Sequence, residues 1–320
     1  MWLKWFILFG VAFVVEISPG KGFSQEMITF LPQWVPQAQF AGYYMAYHKG
    51  IYEKYNLHVT IVQGGPEKPP DEYLADGRVD VSSLWLIRGI QLRDRGLMIV
   101  NIGQIIQRSA LMLAAKKSSE INTLESLKGK RVSLWDDVFG VQARAFFKKY
   151  GLHVFILPQG YSVNLFLRGI VDVASVMEYN EYYQILMSGI NADELITFSF
   201  ADFGLGFPED GLYVLEKTFE KNPQMWNSFV TASLEGWEYA FSHPEETLDV
   251  IMDHLRRAHV PTSRVHQRWM LEKMKKLILP DDASAGVLRK KDYEATRETL
   301  KDLGIISSTI TYDSFYRGKR

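Results

Sequence analysis

The sequence predicts an α/β protein built from two lobes around a cleft. From Glu26 onward, short apolar runs typical of strands alternate with longer amphipathic runs typical of helices, which favours largely parallel sheets. The pattern occurs twice, and DGRVDVSS (76–83) is echoed by RGIVDVAS (168–175). We therefore expect two similar lobes. The chain should cross between them near residues 112–117 and 200–214, which permits closure by hinge motion.

The elements of the first lobe follow from local sequence. MITFLP and LHVTIVQGG are typical of strands, and Gly50 ends the helix between them. Four aromatic side chains at i, i+3, i+4 and i+7 share one face of this helix: Phe40, Tyr43, Tyr44 and Tyr47. We expect Phe40 and Tyr47 to pack in the core, and Tyr43 and Tyr44 are candidates for the cleft.

The second half of the pattern defines the lobe boundaries. LESLKGKRVSLW, VQARAFFKKYGL, HVFILP and NLFLRGIVDVASVM repeat the order of helices and strands, and the sequence turns helical after FADFGLGFPEDGLYVLE. His243-Pro244 predicts a break in the first long C-terminal helix. We assign residues 25–113 and 206–320 to the first lobe and residues 114–205 to the second.

The N-terminus has the layout of a secretory signal peptide. Lys4 precedes an apolar run of ten residues, Phe6 to Val15, whereas a membrane-spanning helix needs about 20. The sequence therefore predicts a signal peptide over residues 1–24, cleavage after Ser24 and export to the periplasm. An uncleaved anchor or a buried first helix is the alternative.

Composition excludes several functional classes. The chain has no cysteine, which excludes disulfides, thiolate metal sites and a cysteine nucleophile. A net charge of -1 without a basic block makes nucleic acid a poor partner. The seven histidines show no metal-ligand spacing, and the motifs GxGxxG, GxxxxGK[ST] and GxSxG are absent. The sequence predicts no metal, no cofactor and no catalytic residue.

Candidate ligand-binding residues follow the ends of predicted strands, where open α/β sheets bind ligands. Trp34 follows the first strand, where its ring can stack on a flat heterocycle or pack on the sheet as a rim residue. Ser82, Ser83 and Trp85 end the first V-D-V strand. The two serines either bind a polar ligand group or cap the next helix.

The second V-D-V strand ends in MEYNEYY, which supplies Tyr179, Asn180 and Glu181. A carboxylate can bind the exocyclic amine and ring nitrogen of an aminopyrimidine through two parallel hydrogen bonds. Glu181 is the candidate for this role, or else a glutamate favoured by a helix N-terminus. Asn180 either orients Glu181 or caps the helix, and Tyr179 can stack opposite Trp34. Gln37, Gly204 and Asp210 complete the predicted site, Gly204 as a glycine that lets backbone approach a ligand or act as a hinge.

Several stretches in order along residues 26–260 resemble type II solute-binding proteins of ABC importers. They are WVPQAQFAGYYMAYHKGIYEKYNLHVTI, LADGRVDVSSLWLIRGIQLRDRG, TLESLKGKRVSLW, FLRGIVDVASVMEYNEYY, DFGLGFPEDGLYV and SLEGWEYAFSHPEETLDVI. Within that class they resemble the group that binds thiamine pyrimidine precursors, which is similar to sulfonate and nitrate binders and to the fungal thiamine-pyrimidine synthase.

The resemblance implies the periplasmic-binding-protein-like type II fold and a monomer that captures a small molecule. The ligand would be a formylaminopyrimidine or hydroxymethylpyrimidine, delivered to an ABC permease with its cytoplasmic ATPase. Three alternatives stay open: a synthase-like enzyme, a binder of a sulfonate or nitrate anion, and a sensor for a membrane receptor. The synthases use pyridoxal phosphate, a sacrificial histidine and a cysteine-rich motif. This chain has no cysteine, and its segment 71–87 holds neither lysine nor histidine.

Overall fold

The computed structural model describes residues 26–281 and 283–319. The predicted signal peptide, residues 1–24, lies outside them. The described residues form ten strands: β1 Glu26–Leu31, β2 Leu57–Ile61, β3 Val81–Trp85, β4 Ile99–Gln104, β5 Leu111–Lys116, β6 Arg131–Leu134, β7 Phe155–Pro158, β8 Val173–Met177, β9 Leu195–Ser199 and β10 Asp210–Leu215.

The helices between and after these strands complete the two lobes. They are α1 Ala41–His48, α2 Ile51–Lys54, α3 Pro70–Ala75, α4 Leu86–Asp94, α5 Val141–Tyr150, α6 Asn164–Leu167, α7 Glu181–Met187, α8 Glu216–Lys221, α9 Pro223–Ser242, α10 Pro244–Arg257, α11 Arg264–Ile278, α12 Lys290–Asp302 and α13 Tyr312–Phe315. The predicted break at His243-Pro244 is confirmed, because α9 ends one residue before His243 and α10 starts at Pro244. Within the described residues, no helix is long and apolar enough to cross a membrane.

The strands form two five-stranded sheets, one in each lobe, and the predicted α/β class is confirmed. The first sheet has the order β2-β1-β3-β10-β4 and the second has the order β7-β6-β8-β5-β9. β10 runs antiparallel to both of its neighbours, and so does β5, whereas the other pairings are parallel.

The chain changes lobe between β4 and β5 and again between β9 and β10. The strands that follow the two crossings, β5 and β10, each lie between two strands of the sheet that they join. Each is the single antiparallel strand of its sheet. The boundary placed at residues 113/114 from the sequence falls inside β5, whose first residue is Leu111. The crossing segments are therefore residues 105–110 and 200–209. The first comes just before the predicted segment 112–117, and the second lies within the predicted segment 200–214.

The aromatic face of α1 belongs mainly to the core of the first lobe. Tyr43 is 1% exposed and packs edge-on against Phe30, with ring centroids 4.8 Å apart. Phe40 and Tyr44 are also buried. The prediction that Tyr47 packs in the core is wrong, because its side chain is 44% exposed. Tyr47 lies in the last turn of α1, where the helix face leaves the core.

The two lobes touch across the cleft through aromatic and polar contacts. Trp85 of the first lobe packs edge-on against Phe139 of the second, with centroids 4.7 Å apart. On α11, Trp269 donates its indole N–H to the carbonyl of Glu178 at 2.9 Å, and Lys273 forms an ion pair with the Glu178 carboxylate. These contacts hold the lobes against each other around the cleft.

Candidate functional site

A cavity of about 840 Å³ lies between the lobes, at the carboxyl ends of the parallel strands. The first lobe contributes the loop after β1, the end of β3 and the start of α11, and the second contributes the turn after β8 and the loops near Trp135 and Tyr161. The cavity is lined by Gln33, Trp34, Val35, Gln37, Gln39, Pro66, Trp85, Trp135, Phe139, Tyr161, Met177, Tyr179, Asn180, Glu181, Gln184, Met187, Ser188, Val260, Pro261, Thr262, Ser263, His266 and Gln267.

Glu181 begins α7 and presents a buried carboxyl group to the cavity. One of its oxygens accepts a hydrogen bond from the backbone N–H of Met177 at 3.0 Å, and the other accepts from the Asn180 amide at 2.7 Å. Burial outweighs these hydrogen bonds and raises the pKa of Glu181 to about 7. The group can therefore act as hydrogen-bond donor or acceptor near neutral pH.

Asp210 lies just behind the cavity wall, at the start of β10. Its carboxyl group accepts hydrogen bonds from the side-chain amides of Gln33 and Gln39, the second at 3.2 Å. Gln37 extends this chain, since its amide donates to the Gln39 carbonyl at 2.8 Å. Burial raises the pKa of Asp210 to about 7. Three glutamines thus connect a buried acid to the ligand space.

A third buried acid, Glu209, connects the two lobes. Its carboxyl group accepts from the backbone N–H of Ala110 at 2.7 Å, from the Ser109 hydroxyl at 3.1 Å and from the Tyr179 hydroxyl at 3.4 Å. Burial is the main reason that its pKa rises to about 8. Tyr179, which lines the cavity, is therefore held from behind by an acid of the first lobe.

The electrostatic character of the site is acidic and without a counter-charge. No lysine or arginine lines the cavity in the part of the chain that the structure describes. Buried carboxyl groups without a cationic partner favour the neutral form, as the raised pKa values of Glu181, Asp210 and Glu209 show. Such a site suits a ligand that carries N–H donors or a positive charge, and its described lining offers an anion no cationic side chain.

Aromatic side chains form the walls. Trp34 of the first lobe faces Tyr161 of the second, with ring centroids 5.3 Å apart and the planes tilted by 46°. The Trp85–Phe139 pair closes another side, and Trp135 stands 6.3 Å from Phe139. Broad apolar faces from both lobes can enclose a flat ring, which is how planar heterocycles are usually buried.

The structure brings six predicted site residues together on the cavity surface. They are Trp34, Gln37, Trp85, Tyr179, Asn180 and Glu181. Tyr161 is the aromatic ring in contact with Trp34, and Tyr179, suggested from the sequence as a ring that can stack opposite Trp34, also lines the cavity. Asp210 lies one layer behind, hydrogen-bonded to cavity residues Gln33 and Gln39.

The other five predicted residues lie outside the lining. Ser83 accepts a hydrogen bond from the backbone N–H of Gln33 at 2.9 Å and so supports the loop that carries Trp34. The Ser82 hydroxyl donates to the Leu31 carbonyl at 2.6 Å. The remaining three also lie outside the cavity lining. Tyr43 and Tyr44 are in the core, and Gly204 ends a short 3-10 helix with φ +73°.

Sequence reasoning missed Glu209, Tyr161, His266 and Gln267. Tyr161 and the pair on α11 lie in segments without a motif, and only the fold places them at the cleft. Glu209 directly precedes the predicted Asp210. The two adjacent acids in the FPEDG segment were therefore a signal that could have identified Glu209. Among the described residues, no group of three or more His, Cys, Asp or Glu side chains is arranged to hold a metal ion.

The fold defined by these two lobes is that of periplasmic binding proteins. The structure superposes on the periplasmic aliphatic sulphonate binding protein SsuA of Escherichia coli with a TM-score of 0.71 and 15% sequence identity. The superposition covers 91% of this chain and 92% of SsuA. The chain belongs to the NMT1/THI5-like family, whose model matches residues 37–247.

Two relatives show the range of this family. The chain is 22% identical to the riboflavin-binding protein RibY of Chloroflexus aurantiacus, over 92% of this chain and 85% of RibY. It is 26% identical to the 4-amino-5-hydroxymethyl-2-methylpyrimidine phosphate synthase of Schizosaccharomyces pombe, over 40% of this chain and 37% of the synthase. The similarity to the binding protein therefore extends much further along the chain.

Proposed function

We propose that this protein is an exported solute-binding protein that captures a small planar heterocycle between its lobes and delivers it to an ABC permease. A thiamine pyrimidine precursor is the first candidate ligand. The main supporting observation is a cavity with aromatic walls and one buried carboxyl group, that of Glu181, and with no lysine or arginine among its described lining residues. The aromatic faces supply stacking, and Glu181 supplies recognition of N–H groups.

Recognition of an aminopyrimidine would rest on Glu181. When its carboxyl group is ionised, it can accept hydrogen bonds from the exocyclic amine and from a protonated ring nitrogen. When it is neutral, it can donate to the unprotonated ring nitrogen and accept from the amine. A pKa of about 7 lets Glu181 adopt either form at little cost. Asn180 holds the carboxyl group in place through its 2.7 Å hydrogen bond.

Capture of the ligand then shifts the conformational equilibrium from the open form of the two lobes to the closed form. The ligand contacts Trp34 and the glutamines of the first lobe and Glu181 and Tyr161 of the second, so it gains its full set of contacts only in the closed form. A ligand shifts a conformational equilibrium by its difference in affinity for the two states. A permease that recognises the closed form would in this way receive loaded protein in preference to empty protein.

A flavin is the second candidate ligand, and the size of the cavity favours it. About 840 Å³ lies near the upper end of the usual range of about 300–1,000 Å³ for sites that bury drug-sized ligands. A single pyrimidine ring would leave much of that space to water. The relative RibY, named as a riboflavin-binding protein, also matches over 92% of this chain.

Two of the alternatives left open by the sequence have less support. A sulfonate or nitrate anion would lie beside the Glu181 carboxyl group and would meet no cationic side chain in the described lining. Synthesis of the pyrimidine with pyridoxal phosphate would need a lysine for the cofactor, and the described lining contains none. Binding of a heterocycle followed by transport requires neither a cationic side chain nor a cofactor lysine.

The test begins with native mass spectrometry of the purified protein to identify any bound molecule. Calorimetry with 4-amino-5-hydroxymethyl-2-methylpyrimidine, its formylamino analogue and riboflavin then ranks the candidates. For a pyrimidine, Glu181→Gln should weaken binding by about 1–3 kcal/mol, whereas the exposed control Glu220→Gln should leave it unchanged. Failure of the wild-type protein to bind any of the three would overturn the proposed ligand class.

A further inference from the structure

A chain of side-chain amides joins Asp210 to the cavity in the first lobe. Both carboxyl oxygens of Asp210 accept from amide nitrogens, one from Gln33 and the other from Gln39 at 3.2 Å. The carbonyl of Gln39 accepts in turn from the Gln37 amide at 2.8 Å. An ionised carboxylate can only accept hydrogen bonds, so it turns the nitrogen end of each neighbouring amide toward itself. Asp210 therefore fixes the direction of all three amides.

The oxygen ends of two of these amides are unused. Oε1 of Gln33 and Oε1 of Gln37 have no hydrogen-bond partner among the described residues, and neither atom is fully shielded from solvent. Both side chains line the cavity. Since the nitrogen ends are bound to Asp210 and Gln39, the oxygen ends are the parts of these amides that a ligand can reach.

The second lobe has the same arrangement with different residues. The Glu181 carboxyl group accepts from the Asn180 amide at 2.7 Å, and the Asn180 carbonyl accepts from the Gln184 amide at 3.2 Å. Oε1 of Gln184 has no partner in the described part of the chain and keeps accessible surface, and Gln184 lines the cavity. Each lobe therefore has a buried acid, two amides in series and a free carbonyl oxygen at the cavity.

The free carbonyl oxygens restrict which ligands the closed cleft can hold. Closure over a ligand removes water from these oxygens, and a buried acceptor without a partner is destabilising. A ligand with N–H or O–H groups supplies the missing partners. A ligand whose polar atoms are all acceptors leaves the carbonyl oxygens unpaired, so the site rejects it.

We propose that Asp210 and Glu181 are positioning residues that make Gln37 and Gln184 present hydrogen-bond acceptors from opposite lobes, so that the ligand is a heterocycle with donors on two sides. The inference rests on the proposed function and deepens it. Aminopyrimidines with a hydroxymethyl or formylamino arm and flavins with a ring N–H and ribityl hydroxyls meet this condition. A heterocycle with acceptors only does not.

The first experiment is neutron diffraction from deuterium-exchanged crystals, which locates amide deuterons and needs no ligand. The crystals are kept at about pH 8.5, above the pKa of about 7 of Asp210, so that this acid is ionised. The deuterated amide nitrogens of Gln33 and Gln39 should face Asp210, and that of Gln37 should face Gln39. A Gln37 amide with its nitrogen toward the cavity would overturn the inference.

The second experiment is calorimetry at the same pH with 4-amino-5-hydroxymethyl-2-methylpyrimidine and two analogues. Each analogue lacks one donor, because a methyl group replaces either the amine or the hydroxymethyl group. Loss of a donor should weaken binding to the wild-type protein by between about 5-fold and 100-fold. Gln37→Met, which keeps the size of the side chain without its carbonyl, should remove the effect of deleting one donor. Gln184→Met should remove the effect of deleting the other.

Variants of the acid and of a remote glutamine complete the test. Asp210→Asn gives one neighbouring glutamine a donor in place of an acceptor, so it should reduce the discrimination between the parent pyrimidine and the analogues. Gln224→Met, on the exposed surface of α9, is the matched control and should change nothing. If riboflavin is the probe that binds, 3-methylriboflavin, which lacks the ring N–H, serves as the donor-deleted analogue.

The outcomes separate this inference from the proposed function. Donor-deletion effects that stay unchanged in Gln37→Met and Gln184→Met would sink the role of these carbonyls and leave the proposed function standing. If the wild-type protein binds none of the probes, the proposed ligand class fails, and the neutron experiment alone decides whether Asp210 turns acceptors toward the cavity.

Discussion

The two V-D-V strands use the same local design in the two lobes. β3 follows Gly77 and Asp80, and β8 follows Gly169 and Asp172, each pair with the same spacing. Asp80 accepts from the backbone N–H of Thr29 at 2.8 Å, and Asp172 accepts in the same way from Arg131 at 2.9 Å. Both strands are buried along their whole length.

The strand ends differ, and that difference builds the site. β3 passes directly into α4, so the first lobe gives the cavity only Trp85 from this position. β8 is followed by a three-residue turn, 178–180, before α7 begins. That turn carries Tyr179 and Asn180 into the cavity and places Glu181 at the helix start. One repeated framework thus supplies an aromatic wall in one lobe and a recognition acid in the other.

The largest expected effect is on two buried acids near the turn after β8: Glu181, which begins α7, and Glu209, which hydrogen-bonds Tyr179 from the first lobe. In the folded protein the pKa of Glu209 is about 8 and that of Glu181 about 7, against about 4.3 in an unfolded chain. The folded protein therefore binds more protons, and its free energy of unfolding should fall as the pH rises from about 5 to 8. Glu209→Gln should reduce that fall by about 3 kcal/mol in urea titrations. A Glu209→Gln curve parallel to that of the control Glu220→Gln would contradict the assignment.

The glycines that precede β3 and β8, Gly77 and Gly169, should respond alike to substitution. Gly77 and Gly169 have φ values of +68° and +69°, and both have open space around a Cβ. Alanine at either position should cost about 1–2 kcal/mol of unfolding free energy, because L-residues avoid this conformation. Gly160→Ala, also in open space but without a positive φ, is the control. Clearly unequal losses of unfolding free energy at Gly77 and Gly169 would show that the two lobes do not use these glycines in the same way.

Asp80 and Asp172 should both stabilise the protein at pH 7. Asp80→Ala should cost about 1 kcal/mol, since its carboxylate pairs with both the N–H and the hydroxyl of Thr29. Hydrogen bonding to Arg131 lowers the pKa of Asp172, so its stabilising effect is present above about pH 4 and is lost as the pH falls through the lowered pKa. Denaturant titrations at pH 7 and pH 3 should show a smaller Asp172→Ala deficit in unfolding free energy at pH 3 than at pH 7. A deficit that is equally large at both pH values would argue against this ion pair.

The smallest expected effect on stability is the difference between two serines at matching positions, Ser83 and Ser175. Ser83 accepts the backbone N–H of Gln33, whereas the buried hydroxyl of Ser175, at the matching position, has no hydrogen-bond partner. Ser83→Ala should cost about 1 kcal/mol, and Ser175→Ala should cost nothing or stabilise slightly. Thermal unfolding of the two variants in parallel checks this. A larger loss in Ser175→Ala would indicate a partner for that hydroxyl.

The sequence by itself determined the alternation of strands and helices, the repeated glycine and aspartate before β3 and β8, and the expectation that strand ends carry the ligand site. These features depend on neighbours in the chain, such as periodicity, turn glycines and residues that follow a strand. That is why Trp34, Trp85 and the segment 179–181 were predictable as a group.

Only the tertiary structure decided that Glu209 lies behind Tyr179, that Tyr161 faces Trp34, and that His266 and Gln267 line the same cavity. These contacts join residues from different lobes and distant parts of the chain, and no local pattern encodes them. Burial in the closed cleft also sets the protonation of the acids, because desolvation depends on everything packed around a group and not on its sequence neighbours.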